Sequence, residues 1–304
     1  FEPHYVKFNL TRQQTLEQFI KLSKAALSKE SDYLVFPETS FHGIRYHRLH
    51  SDTQLRALHK LVDEYPHLSL VTGIGSSKVY AKGEQPSPTA RTHIRGGDTL
   101  YWESQNAAIQ IHSNSKDIDF YLKSKLVPGA EIFPYHRFLF FIKPIVDQLG
   151  GAPGGLERQA TRSVFSSPSG KVAPVICYES IYGEYCTGYI RNGAEAIFIV
   201  TNDGWWDNTA GHRQHLAFAR LRAIETRRAI ARAANSGISA FINQRGDVIS
   251  ATRYDEAASL KENILFNNEI TFYTLWGDMI GRIAGFLSIL LLLNALVKGL
   301  MKKT

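Results

Sequence analysis

The stretch VAPVICYES, Val172–Ser180, decides both the fold and the chemistry of this chain. Its apolar first half is typical of a buried strand, and Ile181, Tyr182 and Gly183 lead from it into a predicted helix. We expect Cys177 to stand above the sheet at this strand-to-helix turn, near the positive end of the helix dipole, with a lowered thiol pKa. The alternative is that Cys177 is a small buried hydrophobic residue of the core.

Two more reactive side chains lie at the ends of predicted strands. Glu38 follows the short apolar run Asp32–Phe36, and Lys123 lies in the predicted strand Phe120–Val127. Sheet topology commonly gathers such strand ends into one crevice. A carboxylate beside a thiol can accept its proton, and an ammonium group can stabilise an oxyanion and favour the thiolate. Together with Cys177, these residues predict an acyl-transfer site.

The rest of the chain alternates between helical and strand patterns, which indicates an α/β sandwich. A stretch rich in Gly, Pro, Ser and Thr, Ala81–Gly97, predicts a surface loop. The predicted helices are Thr11–Ser28, with Thr11 as N-cap, Asp52–Tyr65 and Gly211–Ala234. The other predicted strands are Leu68–Gly75, Gln105–His112, Ala194–Asn202, Gly237–Ile242, Val248–Thr252 and Asn263–Phe266.

The charge and the C-terminal sequence both favour a membrane. The formal net charge is +7, which suits an anionic partner, but no run of more than three Lys/Arg and no nucleic-acid motif occurs. Ile283–Met301, IAGFLSILLLLNALVKGLM, nearly crosses a hydrocarbon layer of about 30 Å. Lys298, Lys302 and Lys303 place the C-terminus in the cytoplasm and the preceding domain outside. The alternative is a packed or interfacial C-terminal helix.

A second apolar segment, Ile132–Gly155, is crowded with aromatic residues and ends in a glycine tract. It contains, among others, Phe133, Tyr135 and Phe138. Two interpretations are open: a helix buried in the core, or an exposed lid that touches lipid.

The cysteine count argues against a disulfide framework, and the histidine spacing argues against a metal site. With only two cysteines there is no disulfide framework, and a bridge between Cys177 and Cys186 would consume the reactive thiol. His212 and His215 lack a third ligand at metal spacing, so we expect no metal.

The arginines of the predicted helix Gly211–Ala234 are expected mainly to bind helix carbonyls or carboxylates of the sheet. The first residues, FEP, predict a cut into a longer chain whose membrane segments precede Phe1.

Three short motifs carry a resemblance to a known family. FPETS around Glu38, YLKSKLVPGAE around Lys123 and ICYES around Cys177 resemble the Glu-Lys-Cys triad of the nitrilase superfamily. The block Thr201–Val248 and the segment Thr271–Asp278 are similar to its apolipoprotein N-acyltransferase branch. The resemblance implies a nitrilase-like α-β-β-α sandwich over residues 1–278, then a transmembrane helix and a basic tail over residues 279–304.

The resemblance also implies roles for individual residues. Glu38 would be the general base, Lys123 the oxyanion stabiliser and Cys177 the nucleophile that becomes a thioester. Glu131 matches a second carboxylate that positions the lysine or relays protons. Glu179 would hydrogen-bond backbone near the nucleophile or be a structural carboxylate. The remaining implied residues are Tyr178 in a supporting role and Asn202, Trp205, Trp206, Phe133, Tyr135 and Phe138 at the substrate.

The implied reaction is a ping-pong transfer of a fatty acyl group, without a cofactor. The donor would be a membrane phospholipid, and the acceptor the α-amine of a diacylglyceryl-cysteine lipoprotein. The resemblance places the protein, as a monomer, in the bacterial inner membrane with its catalytic domain on the periplasmic face. The first alternative is a soluble nitrilase-type amidase that hydrolyses a small C–N substrate. The second is a membrane-tethered domain without catalysis, in which Cys177 is structural.

Overall fold

Two six-stranded sheets form the centre of the molecule in the computed structural model, which describes residues 10–95, 98–132 and 155–301. The first sheet contains β1 (Tyr33–Val35), β2 (Phe41–Arg45), β3 (Ser69–Val79), β4 (Arg91–Arg95), β5 (Asp98–His112) and β6 (Ile118–Leu122). The second contains β7 (Phe165–Ser167), β8 (Gly170–Ile176), β9 (Ala196–Asn202), β10 (Ile230–Asn235), β11 (Ala240–Ile242) and β12 (Val248–Ala251).

The strand order brings the functional strand ends together. In the first sheet the order is β1-β3-β5-β4, with β2 beside β3 and β6 beside β5. In the second sheet the order is β12-β11-β10-β9-β8-β7, and its central strands β8, β9 and β10 are parallel. The carboxyl ends of these three strands therefore share one edge, where Cys177, Asn202 and Asn235 lie.

Helices α1 (Arg12–Ala26) and α2 (Thr53–Asp63) pack on the first sheet, and α3 (Gly183–Arg191) and α4 (Ala210–Thr226) pack on the second. Two further helices follow in the chain, α5 (Phe272–Trp276) and α6 (Met279–Met301). Helix α1 begins at a capping box, in which Thr11 and Gln14 each accept a hydrogen bond from the other's backbone N–H. The N-cap of α2 is Asp52, the residue at which the sequence predicted this helix to begin.

Two hydrophobic cores hold these layers together. One joins Leu16 of α1 and Leu58 of α2 to Ile109 of the first sheet. The other joins the two sheets and the helices behind the second sheet, through Val71, Ala108, Val175, Ile199, Tyr189 and Ala223. The predicted α-β-β-α sandwich is therefore confirmed.

Helix α6 differs from every other element. It is 23 residues long, has a mean hydropathy of 2.1 over its most apolar window and contains no buried residue. Of the described helices, it alone is long and apolar enough to cross a bilayer. None of the other described elements buries this helix, so within the described residues it is not a packed C-terminal helix.

The predicted helix Gly211–Ala234 is wrong in its last third, because Ile230–Asn235 is the strand β10. Arg227 ends α4 in the left-handed conformation, with φ 52°. The buried Arg228 guanidinium then donates to the carbonyl oxygens of Thr226 and Glu269 and turns the chain away from the helix axis. The following alanines pair with β9 and β11, so tertiary pairing overrides their helix propensity.

Two further predictions need correction. The predicted loop Ala81–Gly97 contains β4, which pairs with an extension of β5 beyond the predicted start of that strand. Asn263–Phe266 belongs to none of the described strands. Its side chains Ile264 and Phe266 pack against the second core, but no sheet ladder includes its backbone.

Candidate active site

Cys177 lies where β8 turns into the 3₁₀ helix Cys177–Ile181, just before α3. Its φ is +47°, in the left-handed region that side chains other than glycine rarely adopt. The residue is only 6% exposed. The thiol is therefore buried, whereas the sequence predicted a thiol that stands above the sheet.

A buried lysine lies between two carboxylates beside this thiol. Lys123 Nζ donates to Glu38 Oε1 at 2.8 Å and to Glu131 Oε1 at 2.9 Å, and the lysine side chain is 1% exposed. The charges of Glu38 and Lys123 both act on the Cys177 thiol. Asn106 Nδ2 donates to the same two carboxylate oxygens, at 2.8 and 2.9 Å. We call Glu38, Asn106, Lys123 and Glu131 the lysine cluster.

Backbone contacts fix the position of Glu38 in this cluster. Asn235 Nδ2, at the end of β10, donates to the Glu38 carbonyl oxygen at 2.7 Å and so links the two sheets. Gly73 of β3 lies under the same residue, and a Cβ there would approach the Glu38 Cα to 2.5 Å. Only glycine fits at position 73 without moving the carboxylate.

The charges of the lysine cluster keep one another ionised. Burial alone would raise the pKa of Glu38, but the Lys123 charge and the hydrogen bonds from Lys123, Asn106 and Cys177 outweigh it and lower that pKa. Burial likewise opposes the Lys123 charge, but the negative charges of Glu38 and Glu131 raise its pKa above the usual value. The cluster therefore holds an ionised carboxylate next to a protonated amine at neutral pH.

The predicted low pKa of Cys177 is wrong. Burial and, after it, the negative charge of Glu38 together raise the pKa of the thiol to about 12. Lys123 and a hydrogen bond from Thr201 act in the opposite direction without reversing the shift. The resting sulfur is a thiol, so a partner has to take its proton as it reacts.

Glu179 is buried and joins the strand of the thiol to the strand of the lysine. Its Oε2 accepts from the Ile176 backbone N–H at 2.9 Å, and its Oε1 accepts from the Ser124 N–H at 2.7 Å. These amides adjoin Cys177 and Lys123, so Glu179 hydrogen-bonds backbone near the nucleophile, which is one of its two predicted roles. Desolvation raises its pKa. The hydroxyl groups around it belong to Tyr121, Tyr185 and Tyr189.

A second buried set of charges contacts the backbone of Cys177. His215 Nε2 lies 3.1 Å from the Cys177 carbonyl oxygen, and His215 Nδ1 lies 2.9 Å from Asp203 Oδ1. Arg232 donates to Asp203 Oδ2 at 2.7 Å. We call Asp203, His215 and Arg232 the histidine cluster. Burial alone would raise the pKa of Asp203, but the Arg232 charge and His215 hold it at about 2.

The sequence did not predict this cluster or the asparagines at positions 106 and 235. Their signal was weak: Asn106 is a polar residue inside β5, Asn235 ends β10, and His215 lies in the second turn of α4. The expectation that the helix arginines bind carbonyls and carboxylates is confirmed for Arg222 and for Arg232, which lies in β10.

The other predicted site residues lie at different distances from this centre. Tyr178 is half-buried against the Tyr182 ring, and Asn202 is buried and accepts from the Gly204 N–H. Trp205 and Trp206, in the turn after β9, are 62% and 36% exposed, so they are not core residues. Phe133, Tyr135 and Phe138 lie outside the described residues. Both cysteines are free.

The arrangement at the strand ends suits acyl transfer. Such chemistry needs a thiol, an ionised carboxylate near it and a fixed ammonium group. Cys177, Glu38 and Lys123 provide these three groups. In the described part of the chain, no group of three or more His, Cys, Asp or Glu side chains is placed to hold a metal ion.

Comparison with known sequences identifies the family. A sequence model of the carbon-nitrogen hydrolases matches residues 3–261. A protein of Chlorobaculum tepidum named apolipoprotein N-acyltransferase is 28% identical over 304 residues, covering 98% of this chain and 56% of that protein. Its namesake from Bdellovibrio bacteriovorus is 29% identical over 294 residues, covering 92% of this chain and 48% of the relative. The chain thus spans about half the length of these relatives.

Solved structures share the fold. Nit3 of Saccharomyces cerevisiae, a nitrilase-superfamily protein, has a TM-score of 0.54 and 16% identity and covers 80% of both chains. A Nesterenkonia amidase of the superfamily has a TM-score of 0.51 and 14% identity, covering 81% of this chain and 82% of its own. With the family model matching more than half of its length, the chain belongs to the carbon-nitrogen hydrolase family of the nitrilase superfamily.

Proposed function

We propose that this chain catalyses the transfer of a fatty acyl group from a phospholipid to the N-terminal amine of a diacylglyceryl-cysteine lipoprotein. The observation that carries the proposal is the buried Lys123 held between Glu38 and Glu131 beside the Cys177 thiol. The names of the relatives, apolipoprotein N-acyltransferase, support the choice of donor and acceptor.

In the first half-reaction, Cys177 Sγ forms a bond to the ester carbonyl carbon of the phospholipid. Glu38 accepts the thiol proton as the bond forms, which the high thiol pKa makes necessary. The Lys123 ammonium stabilises the negative charge that develops on the carbonyl oxygen. The carbon–oxygen bond to glycerol then breaks, the lysophospholipid leaves with the proton from Glu38, and the acyl group remains as a thioester.

In the second half-reaction, the α-amine of the lipoprotein attacks the thioester carbonyl carbon. Glu38 accepts a proton from the nitrogen, and Lys123 again stabilises the oxyanion. The carbon–sulfur bond breaks, an amide forms, and the Cys177 sulfur recovers its proton from Glu38. Glu131 keeps Lys123 in place in both halves, through the 2.9 Å hydrogen bond.

The site of action that we propose is the bacterial inner membrane. Residues 1–278 would form the catalytic domain on the periplasmic side, and α6 with its basic tail would span the bilayer. The exposed, apolar α6 supports this placement, since both substrates are lipids. We place Trp205, Trp206 and the aromatic residues Phe133, Tyr135 and Phe138 at the acyl chain, with Asn202 beside them.

Product analysis tests the proposed function. The protein in detergent is incubated with one defined phospholipid and a synthetic diacylglyceryl-cysteine peptide, with Cys177→Ala as the control. We expect N-acylated peptide and lysophospholipid in equal amounts from the wild type and neither from the variant. Release of free fatty acid without acylated peptide, or hydrolysis of a small amide instead, would contradict transfer and favour an amidase.

A further inference from the structure

The backbone of Cys177 needs an external restraint. Its φ of +47° is a conformation that a cysteine adopts at a cost, and the direction of the thiol depends on it. The carbonyl oxygen of Cys177 has two side-chain contacts. Ser180 Oγ donates to it at 2.7 Å, and His215 Nε2 lies at 3.1 Å. Ser180 Oγ and His215 Nε2 are themselves 2.8 Å apart, so three polar atoms meet at this point.

We infer that His215 is a positioning residue that holds the Cys177 carbonyl and thereby aims the thiol at the lysine cluster. The inference rests on the proposed role of Cys177 as the nucleophile. His215 would touch neither the substrate nor the sulfur, so its effect would pass through the backbone of Cys177.

The histidine cluster gives the imidazole ring one orientation. Asp203 Oδ1 and the Cys177 carbonyl oxygen can only accept hydrogen bonds, so the two contacts together require a proton on each ring nitrogen of His215. Arg232 binds the other oxygen of Asp203, and Thr201 Oγ1 donates to Oδ1 at 3.1 Å. The ring of Trp206 meets the imidazole edge-on, with centroids 5.1 Å apart. The side chains of Asp203, His215 and Arg232 are all at most 2% exposed.

The sequence reserves space for this arrangement. A Cβ on Gly237 would collide with the Asp203 carboxylate, so glycine is required there. These buried hydrogen bonds join the turn after β9, α4 and β10, and they end at the carbonyl of the reactive residue.

Variants of His215 test the inference, with the buried His212 of the same helix as the matched control. His212 is 3% exposed and packs on the Tyr254 ring, away from Cys177. Gln can present an N–H near the position of imidazole Nε2, whereas the shorter Asn cannot. The readouts are the rate constant of Cys177 acylation by an activated fatty ester, the KM for that ester and the melting temperature.

We expect His215→Ala to slow acylation about 10- to 100-fold with an unchanged KM. His215→Gln should recover most of the rate, His215→Asn should not, and His212→Gln should behave as the wild type. If the Ala variant does not fold, the Gln and Asn variants decide. Equal rates for His215→Gln and His215→Asn, or an equal loss in His212→Gln, would overturn the inference.

A crystal structure of His215→Asn separates this inference from the proposed function. We expect Cys177 to leave the left-handed region or its carbonyl to rotate away from position 215. An unchanged Cys177 backbone would refute the positioning role even if the wild type were fully active. If instead the wild type fails to become acylated while the backbone of the variant moves, the proposed function fails and the positioning role stands.

Discussion

The lysine cluster and the histidine cluster are both buried and charged, but they act on different parts of Cys177. The lysine cluster has one formal positive charge and two negative charges, and the charge of Glu38 acts on the thiol. In the histidine cluster Arg232 and His215 both bind Asp203, and His215 contacts the Cys177 carbonyl oxygen. The lysine cluster keeps a base ionised while the thiol is protonated, so it can move a proton. The histidine cluster contacts only the backbone of Cys177, which suits a positioning role.

The largest effect is expected from breaking the lysine cluster. Lys123→Met keeps much of the side-chain volume but removes the charge that stabilises both the oxyanion and the ionised Glu38. We expect acylation of Cys177 to fall about 10³-fold or more, measured as the rate of thioester formation.

Lys125→Met is the matched control, because Lys125 is exposed and lies over the rings of Tyr182 and Tyr185 instead of binding a carboxylate. It should keep the wild-type rate. A Lys123→Met enzyme that forms the thioester at the rate of its control would remove the lysine from the mechanism.

The next effect, on stability, is expected from breaking the histidine cluster. Asp203→Asn leaves the buried Arg232 without its counter-charge, which should lower the free energy of unfolding by about 3 kcal/mol. Asp247→Asn, in the exposed pair with Arg245, should change nothing measurable. Denaturant unfolding compares the two, and similar midpoints for both variants would argue against a balanced buried pair.

The pH dependence of this stability has a definite sign. The pKa of Asp203 in the folded protein is about 2, below its usual value of 3.8. Its contribution is therefore present above about pH 4 and is lost as the pH falls towards about 2. The difference in the free energy of unfolding between the wild type and Asp203→Asn should therefore shrink as the pH falls from about 4 to about 2.

The smallest effect is expected from pH on the reaction itself. Because the thiol pKa is about 12 and that of Glu38 is lowered, neither group titrates between about pH 6 and 9. Acylation of Cys177 by an activated ester should change less than about threefold over this interval. A rise of tenfold per pH unit would instead indicate a freely ionising thiol and would contradict the raised thiol pKa.

The sequence predicted those parts of the site that lie on clear strand ends. Asp32–Phe36 and Val172–Ser180 have the apolar runs of buried strands, so Glu38 and Cys177 could be assigned to one edge. The cap at Thr11 and the apolar α6 are similarly local signals. The fold followed from this alternation together with the resemblance of the motifs.

The remaining features depend on contacts between distant residues. Ile230–Asn235 has the composition of a helix, and only its pairing with β9 and β11 makes it a strand. The raised pKa of Cys177 comes from burial and from Glu38, which is distant in the sequence. Asp203, His215 and Arg232 come from three separate elements, so no local pattern could group them.

Intact mass spectrometry of the protein after incubation with a single phospholipid, without acceptor, is the decisive test of thioester formation at Cys177. We expect a mass gain of one fatty acyl chain, located on Cys177, sensitive to hydroxylamine and absent from Cys177→Ala. No gain in the wild type, or the same gain in Cys177→Ala, would contradict it.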